Sequence, residues 1–179
     1  DSNYILVDPA MADNGKLYPA FDETFAKAMA QLCGKADIVV PNITEASFMT
    51  GIEYKEVYDE EYVKDMLKAL ADLGPKISIL TGVGFKEGFT GVMGYDKEKY
   101  QYFYYEHKLI ERSYHGTGDI FSSTLVGAIQ NNLTWQEAIP IAADYTAKSI
   151  QLTIDDPNGR DYGVNFEEAI PYLLKRIGK

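Results

Sequence analysis

Cysteine is almost missing from this chain: Cys33 is the only one in 179 residues, and there are just two histidines. A lone thiol excludes an internal disulfide, and so few Cys and His leave no zinc-ligand spacing. Basic residues are scarce as well, with 17 Lys and Arg against 27 Asp and Glu and a net charge of −10. The basic residues are scattered, so the footprint that sequence-independent nucleic-acid binding needs is absent. No apolar run approaches the roughly 18 residues of a membrane-spanning helix. The opening stretch DSNYILVDPA has neither the basic n-region nor the apolar h-region of a signal peptide. A reducing, cytoplasmic setting is the expectation. Cys33 falls on the apolar face expected of a helix, beside Phe25, Ala28, Met29 and Leu32, and is read as a packed side chain.

What is present alternates between two periods. Residues 4–7 and 37–41 are short β-branched runs ended by proline, with a helical stretch between them. Residues 61–74 place Tyr62, Val63, Met66, Leu67, Leu70 and Leu73 on one helical face, and Gly74-Pro75 stops the pattern. Residues 76–82 read as the next strand. This order predicts right-handed βαβ units and a parallel sheet. Residues 4–7 read as a buried strand of that sheet, which needs neighbours on both sides. Residues 88–95 and 99–108 flank a polar turn and predict an antiparallel hairpin. Its Tyr and Phe side chains at 100–105 read as a sheet edge or packed face, since no basic residues accompany them to make a base-stacking platform. Helices are predicted over 117–132, about 135–152 and about 165–177, with Thr134 and Glu137 as a capping box for the second. A single α/β domain over 1–179 is the expectation.

Three loops follow predicted strands, where open α/β sheets bind ligands. The first, DPAMADNGKLY at 8–18, offers Asp8, Asp13 and the pair Asn14-Gly15; it also reads simply as a polar turn. The second, PNITEASFMTG at 41–51, holds Asn42 and Glu45 three residues apart, able to share one crevice or merely to cap a short helix. The third is Thr81-Gly82, a hydroxyl beside bare backbone. Asp13, Asn42 and Glu45 are oxygen donors of the kind Mg²⁺ uses together with water and phosphate.

A fourth stretch, SYHGTGDIFSS at 113–123, sets two glycines and an aspartate where an apolar helix begins. Such a turn bares backbone N–H groups that can receive an anion. A carboxylate there would repel a resting phosphate, and is useful if it takes a proton from a group about to attack one. Metal, anion hole and carboxylate base are the parts of phosphoryl transfer. There is no Walker A sequence and no protein-kinase motif set, so a P-loop enzyme is excluded.

HGTGDIFSS resembles the anion-hole motif of the ribokinase-like superfamily, and PNITEA its N-x-x-E motif. DPAMADNGKLY is similar to the loop of the pyridoxal kinases, usually D-P-V-M-G-D-N-G-x-x-Y, from which Ala10 and Ala12 depart. The resemblance covers essentially the whole chain. It implies a ribokinase-like three-layer α/β/α fold with a mostly parallel sheet, here the C-terminal portion, incomplete at the N-terminal side and poorly active alone. It implies ATP-dependent phosphorylation of the 5′-hydroxymethyl group of pyridoxal, pyridoxamine or pyridoxine. Asp119 would be the catalytic base, and Gly116, Thr117 and Gly118 the anion hole. Asn42 and Glu45 would organise Mg²⁺, with Asp13 near the metal and phosphates, Asp8 orienting the loop and Thr81 on an ATP phosphate. His115 is read as packing or supporting rather than catalytic, and the adenine is expected near residues 153–165. The resemblance implies a homodimer at full length and leaves open a need for K⁺. A hydroxymethylpyrimidine or other ribokinase-like small-molecule kinase, a non-catalytic nucleotide- or B6-binding module, and a plain interaction domain stand as alternatives.

Overall fold

A computed structural model describes residues 3–159 and 162–178. Two compact units divide it, Asp1–Glu106 and His107–Lys179. The first is built on a five-stranded sheet. Its strands are β1 (Leu6–Val7), β4 (Ile38–Val39), β5 (Ile77–Val83), β6 (Phe89–Asp96) and β7 (Gln101–Lys108), in that spatial order. β1 pairs parallel with β4, and β4 parallel with β5. β5 pairs antiparallel with β6, and β7 follows through a short turn at the far edge. The α/β fold with a mostly parallel core and an added hairpin is therefore the one expected. A separate two-stranded ribbon, β2 (Ala12–Asp13) with β3 (Lys16–Leu17), stands in the loop after β1.

Side-chain alternation along the strands selects which residues meet the helices. Register places Val7, Val39, Ser78 and Tyr95 in line across one face. Val39, Leu80, Val83, Met93 and Tyr95 on that face join one hydrophobic cluster with α1 (Glu23–Cys33), α2 (Ile43–Thr50) and α3 (Glu60–Asp72). α3 carries the largest share of it: Val63, Met66, Leu67 and Leu70 are completely buried. Asp59 starts this helix by accepting from the Tyr62 N–H at 3.0 Å. At the edge, Tyr95 stacks on Tyr102 with centroids 4.6 Å apart, so the aromatic run packs as a sheet edge.

β1 is the first strand of the described sheet, and Tyr4 and Ile5 are 57% and 52% exposed, so the second neighbour that a buried parallel strand needs is not among the described residues. One expectation fails here: the apolar face of α1 is turned. Ala26 and Cys33 are buried while Leu32 is 53% exposed. Burial pushes the Cys33 thiol up to about 11, which keeps it protonated and unreactive.

In the second unit α4 (Thr117–Gln130) packs on α5 (Trp135–Asp155). The Thr134 and Glu137 capping box forms as the sequence implies. The final helix is shorter than expected, a 3₁₀ turn at Glu167–Ala169 leading into α6 (Ile170–Arg176), with Pro171 at its first turn. No helix among the described residues is long and apolar enough to cross a membrane.

The turned face of α1 and the fully buried face of α3 predict opposite responses to the same substitution. Leu70→Ala should cost about 2–5 kcal/mol of stability in a urea titration, as buried leucines do. Leu32→Ala should stay within about 0.5 kcal/mol.

Candidate functional site

The loops after β1, β4 and β5 form one connected network in the first unit. After β1 the chain passes Asp8, half-buried, then Met11 and Ala12, both completely buried. Asn14 and Gly15 both have positive φ, 50° and 75°, which makes the β2–β3 connection a type I′ turn. The Gly15 N–H donates to Thr44 Oγ1 at 3.0 Å, which ties this turn to α2. A Cβ on Gly15 would sit 2.9 Å from the Tyr54 ring, so only glycine fits beneath it. Asp13 lies just before the turn, exposed, its carboxylate accepting from the Asn14 backbone N–H and side-chain amide at 2.9 and 3.0 Å.

After β4, Asn42 and Glu45 form a capping box at the start of α2. Asn42 Oδ1 accepts from the Glu45 N–H at 2.9 Å, and Glu45 Oε2 accepts from the Asn42 N–H at 2.8 Å. The box reaches further than a cap. Glu45 Oε1 accepts from the Met11 N–H at 3.1 Å and from the Ala12 N–H at 3.5 Å. Asn42 Nδ2 donates to the Ala12 carbonyl at 2.9 Å. The two side chains thus bolt the loop after β1 onto the helix after β4. Glu45 is 4% exposed, and burial pushes its carboxyl up to about 7, against the pull of the three N–H donors. Nearby Asp8 pushes it the same way as burial.

After β5, the Thr81 N–H donates to the Pro41 carbonyl at 3.0 Å, and Thr81 forms a parallel bridge with Asn42. Asn42, Glu45 and Thr81 are therefore joined to the Met11–Ala12 backbone in one hydrogen-bonded frame. Thr44 and Tyr54 also belong to it, and neither residue type carried a signal in the sequence.

The resemblance implies Mg²⁺ at Asn42, Glu45 and Asp13. Among the described residues no three His, Cys, Asp or Glu side chains come close enough to hold a metal together. Glu45 and Asn42 spend their polar atoms on backbone groups. Asp13 presents an exposed carboxylate. One carboxylate suits Mg²⁺, which keeps several waters and takes further ligands from substrate phosphates.

The second unit supplies the other cluster. Gly116 is the N-cap of α4 at φ 84°, a left-handed conformation that favours glycine. No side chain caps this helix, and its first internal bond runs from the Ile120 N–H to the Gly116 carbonyl at 3.1 Å. The N–H groups of Thr117, Gly118 and Asp119 therefore have no intrahelical acceptor. Thr117 Oγ1 donates to the Tyr114 carbonyl at 3.3 Å, which ties the turn to the buried Tyr114. A Cβ on Gly116 would lie 3.8 Å from Asp119 Oδ2, so the exposed carboxylate leans back over the bare glycine. His115 is exposed, which removes the packing role expected for it. In the loop expected near the adenine, Asn165 donates to Thr153 Oγ1 and to Asp156 Oδ2 at 2.8 and 2.9 Å. Arg160 and Asp161 of that loop lie outside the described residues.

The model of the phosphomethylpyrimidine kinase family matches residues 1–163. The chain belongs to that family. It is 27% identical over 163 residues to a hydroxymethylpyrimidine/phosphomethylpyrimidine kinase of Helicobacter pylori, matching 89% of this chain and 59% of that protein. A structure of a Bacteroides thetaiotaomicron protein, assigned to phosphomethylpyrimidine kinase and obtained with pyridoxal, superposes with a TM-score of 0.88 at 30% identity. That match covers 95% of this chain and 60% of the other. Pyridoxal kinase from Lactobacillus plantarum gives a TM-score of 0.83 at 26% identity, again over 95% and 60%. The chain thus spans about 60% of the length of these family members. Their names divide between kinases of a thiamine precursor and kinases of vitamin B6, so the pyridoxal branch is not singled out by them.

Glu45 yields a test with a defined sign. In the metal-free chain its folded value, about 7, lies above the ordinary 4.5, so the folded state holds this proton more tightly than the unfolded one. The contribution is present in full below about pH 4.5 and is lost as pH rises to about 7. Urea titrations should show wild type losing stability relative to Glu45→Gln across that window. A gap moving the other way would mean that the three N–H donors outweigh burial.

Proposed function

We propose that this chain is the phosphate-handling part of a kinase that transfers the γ-phosphoryl group of ATP to a hydroxymethyl group on a small nitrogen heteroaromatic, with a B6 vitamer as its acceptor. The observation that carries the reading is the α4 entrance. Three N–H groups without intrahelical partners and one exposed carboxylate sit within a single turn, at a glycine whose φ of 84° serves no packing need.

In this reading the Asp119 carboxylate accepts the hydroxyl proton as the hydroxyl oxygen forms its bond to the γ-phosphorus and the bond to the leaving ADP oxygen breaks. The Thr117, Gly118 and Asp119 N–H groups meet the charge that develops on the transferring group, aided by the positive end of the helix dipole. Asp13 holds Mg²⁺ through its exposed carboxylate, and Asn42 and Glu45 keep that loop in place. When bound, Mg²⁺ neutralises phosphate charge and aligns the phosphates. Thr81 offers its hydroxyl to a phosphate. Asp8 supports the loop from behind. With a net charge of −10, the chain depends on such local donors to attract ATP at all.

The B6 assignment rests on the loop from Asp8 to Tyr18 and is supported by the pyridoxal in the Bacteroides structure. A hydroxymethylpyrimidine acceptor is the second reading, favoured by the family model and the Helicobacter relative. Both acceptors carry the same hydroxymethyl group, so both use the same base and anion hole.

Two measurements on the full gene product check the reading. Asp119→Asn should lower kcat by about 10²–10⁴-fold, the usual share of a general base, while ATP binding by calorimetry stays within about twofold. A variant that keeps its turnover would remove Asp119 from the reaction. Pyridoxal should exceed hydroxymethylpyrimidine in kcat/KM; the reverse order would move the protein to the second reading.

A further inference from the structure

Thr81 reaches its place through a break in the strand ladder. Thr81 pairs with Val92 and Val83 with Gly91, which leaves Gly82 as an extra residue, a β-bulge. Gly82 has φ 70°, is exposed, and has no atom within 4 Å of where a Cβ would stand. The bulge therefore bares backbone toward open space beside Thr81, whose hydroxyl makes only a long 3.5 Å bond to the Pro41 carbonyl, at the carboxyl end of a parallel strand, which is where such sheets take ligands. A glycine bulge is also the softest part of a strand, because its backbone has the widest choice of conformations.

One side chain spans it. The Tyr58 hydroxyl donates to the Gly82 carbonyl at 3.3 Å and accepts from the Gly84 N–H at 3.2 Å. It uses both functions of one phenol to stitch the two sides of the bulge together. The ring is held in turn by Tyr62, stacked with centroids 5.7 Å apart, and by Phe85, edge-on at 6.3 Å. Tyr58 immediately precedes Asp59, the cap of α3, so the best-packed helix of the unit fixes its backbone. The ring makes its packing contacts without the oxygen, so the hydroxyl acts on the bulge alone.

We infer that Tyr58 is a positioning residue for nucleotide binding, whose hydroxyl sets the Gly82 bulge so that the adjoining backbone, and the Thr81 hydroxyl on exchanging the Pro41 carbonyl for a phosphate oxygen, are in place for a phosphate. The inference rests on the kinase reading and adds to it a residue in the segment between α2 and α3 that no motif covers. Tyr58 does not touch the reacting atoms; it acts through the bulge.

The test is steady-state kinetics of the full gene product with three phenylalanine or valine replacements. Tyr58→Phe should raise KM for ATP about three- to tenfold, as expected on losing the ordering of two ordinary hydrogen bonds, with kcat and the KM for the acceptor within twofold. Tyr62→Phe is the control. It deletes a hydroxyl from the neighbouring ring, one that donates to the Glu53 carbonyl at 2.8 Å, and should leave KM for ATP unchanged whatever it does to Tm. Thr81→Val should raise KM for ATP by itself. Combined with Tyr58→Phe it should give less than the product of the two effects, because both remove the same phosphate contact. The inference is overturned if Tyr58→Phe leaves KM for ATP within twofold, if Tyr62→Phe raises it equally, or if the two effects multiply. Absence of both ATP binding and phosphoryl transfer in the wild type would instead overturn the kinase reading and the inference with it, an outcome distinct from an active wild type with an indifferent Tyr58.

Discussion

The first unit depends on one buried carboxylate. Glu45 is 4% exposed and accepts from the backbone N–H groups of Met11, Ala12 and Asn42. A backbone segment that enters a core without strand partners must find acceptors for its N–H groups, or it incurs their desolvation cost. The N–H groups of Met11 and Ala12 are in this position: both residues are completely buried, and although Ala12 pairs with Leu17 in the hairpin, both N–H groups turn to Glu45. The carboxylate is the acceptor that lets them stay. Remove it and the Met11 and Ala12 N–H groups lose their acceptor, leaving Asn42 and Thr44 as the hairpin's remaining ties to α2.

This arrangement explains why the N-x-x-E spacing was readable in two ways. An N-cap asparagine and a glutamate three residues on form a capping box whether or not any ligand exists, and the structure contains that box. The same spacing aims both side chains back past the helix end, toward whatever follows the neighbouring strand. Here that is the Met11–Ala12 backbone. Capping and site-building are thus one geometry, and the choice between a helix cap and a functional pair was never a choice between exclusive roles. Glu45 and Asn42 thus hold the frame, while Asp13 stands exposed beside it, its carboxylate held by Asn14.

What the sequence made legible was periodic or locally capped. The α3 face from Tyr62 to Leu70, the hairpin of β6 and β7, and the Thr134 box all follow from spacings of two, three or four residues, and all are found. What it hid depends on neighbours distant in the chain. Leu32 fits the helical period yet faces out, since the face of α1 is set by α2 rather than by its own sequence. Thr44 and Tyr54 join the loop by contacts to Gly15, 29 residues from Thr44 in sequence, which no local pattern encodes. Asn14-Gly15 announced a turn but not its ties, which come from those same two residues.

Substrate choice is separable from the phosphate machinery for a physical reason. On the reading proposed above, the N–H groups at the α4 entrance would meet the phosphoryl group that ATP supplies, and the Asp119 carboxylate would take the hydroxyl proton that pyridoxal and a hydroxymethylpyrimidine present alike. Nothing about that turn distinguishes a pyridine from a pyrimidine. Discrimination requires groups facing the ring, where a site that hydrogen-bonds one ring pattern leaves its polar atoms unpaired with the other. A family whose members carry both names can therefore keep one entrance to α4 unchanged while the loops around the heterocycle vary. On the proposed reading, the loop from Asp8 to Tyr18 would be the segment to do so: it is held from behind by Glu45 and Tyr54 and presents Asp13, Lys16 and Tyr18 outward, so the type I′ turn would set where those side chains meet the ring.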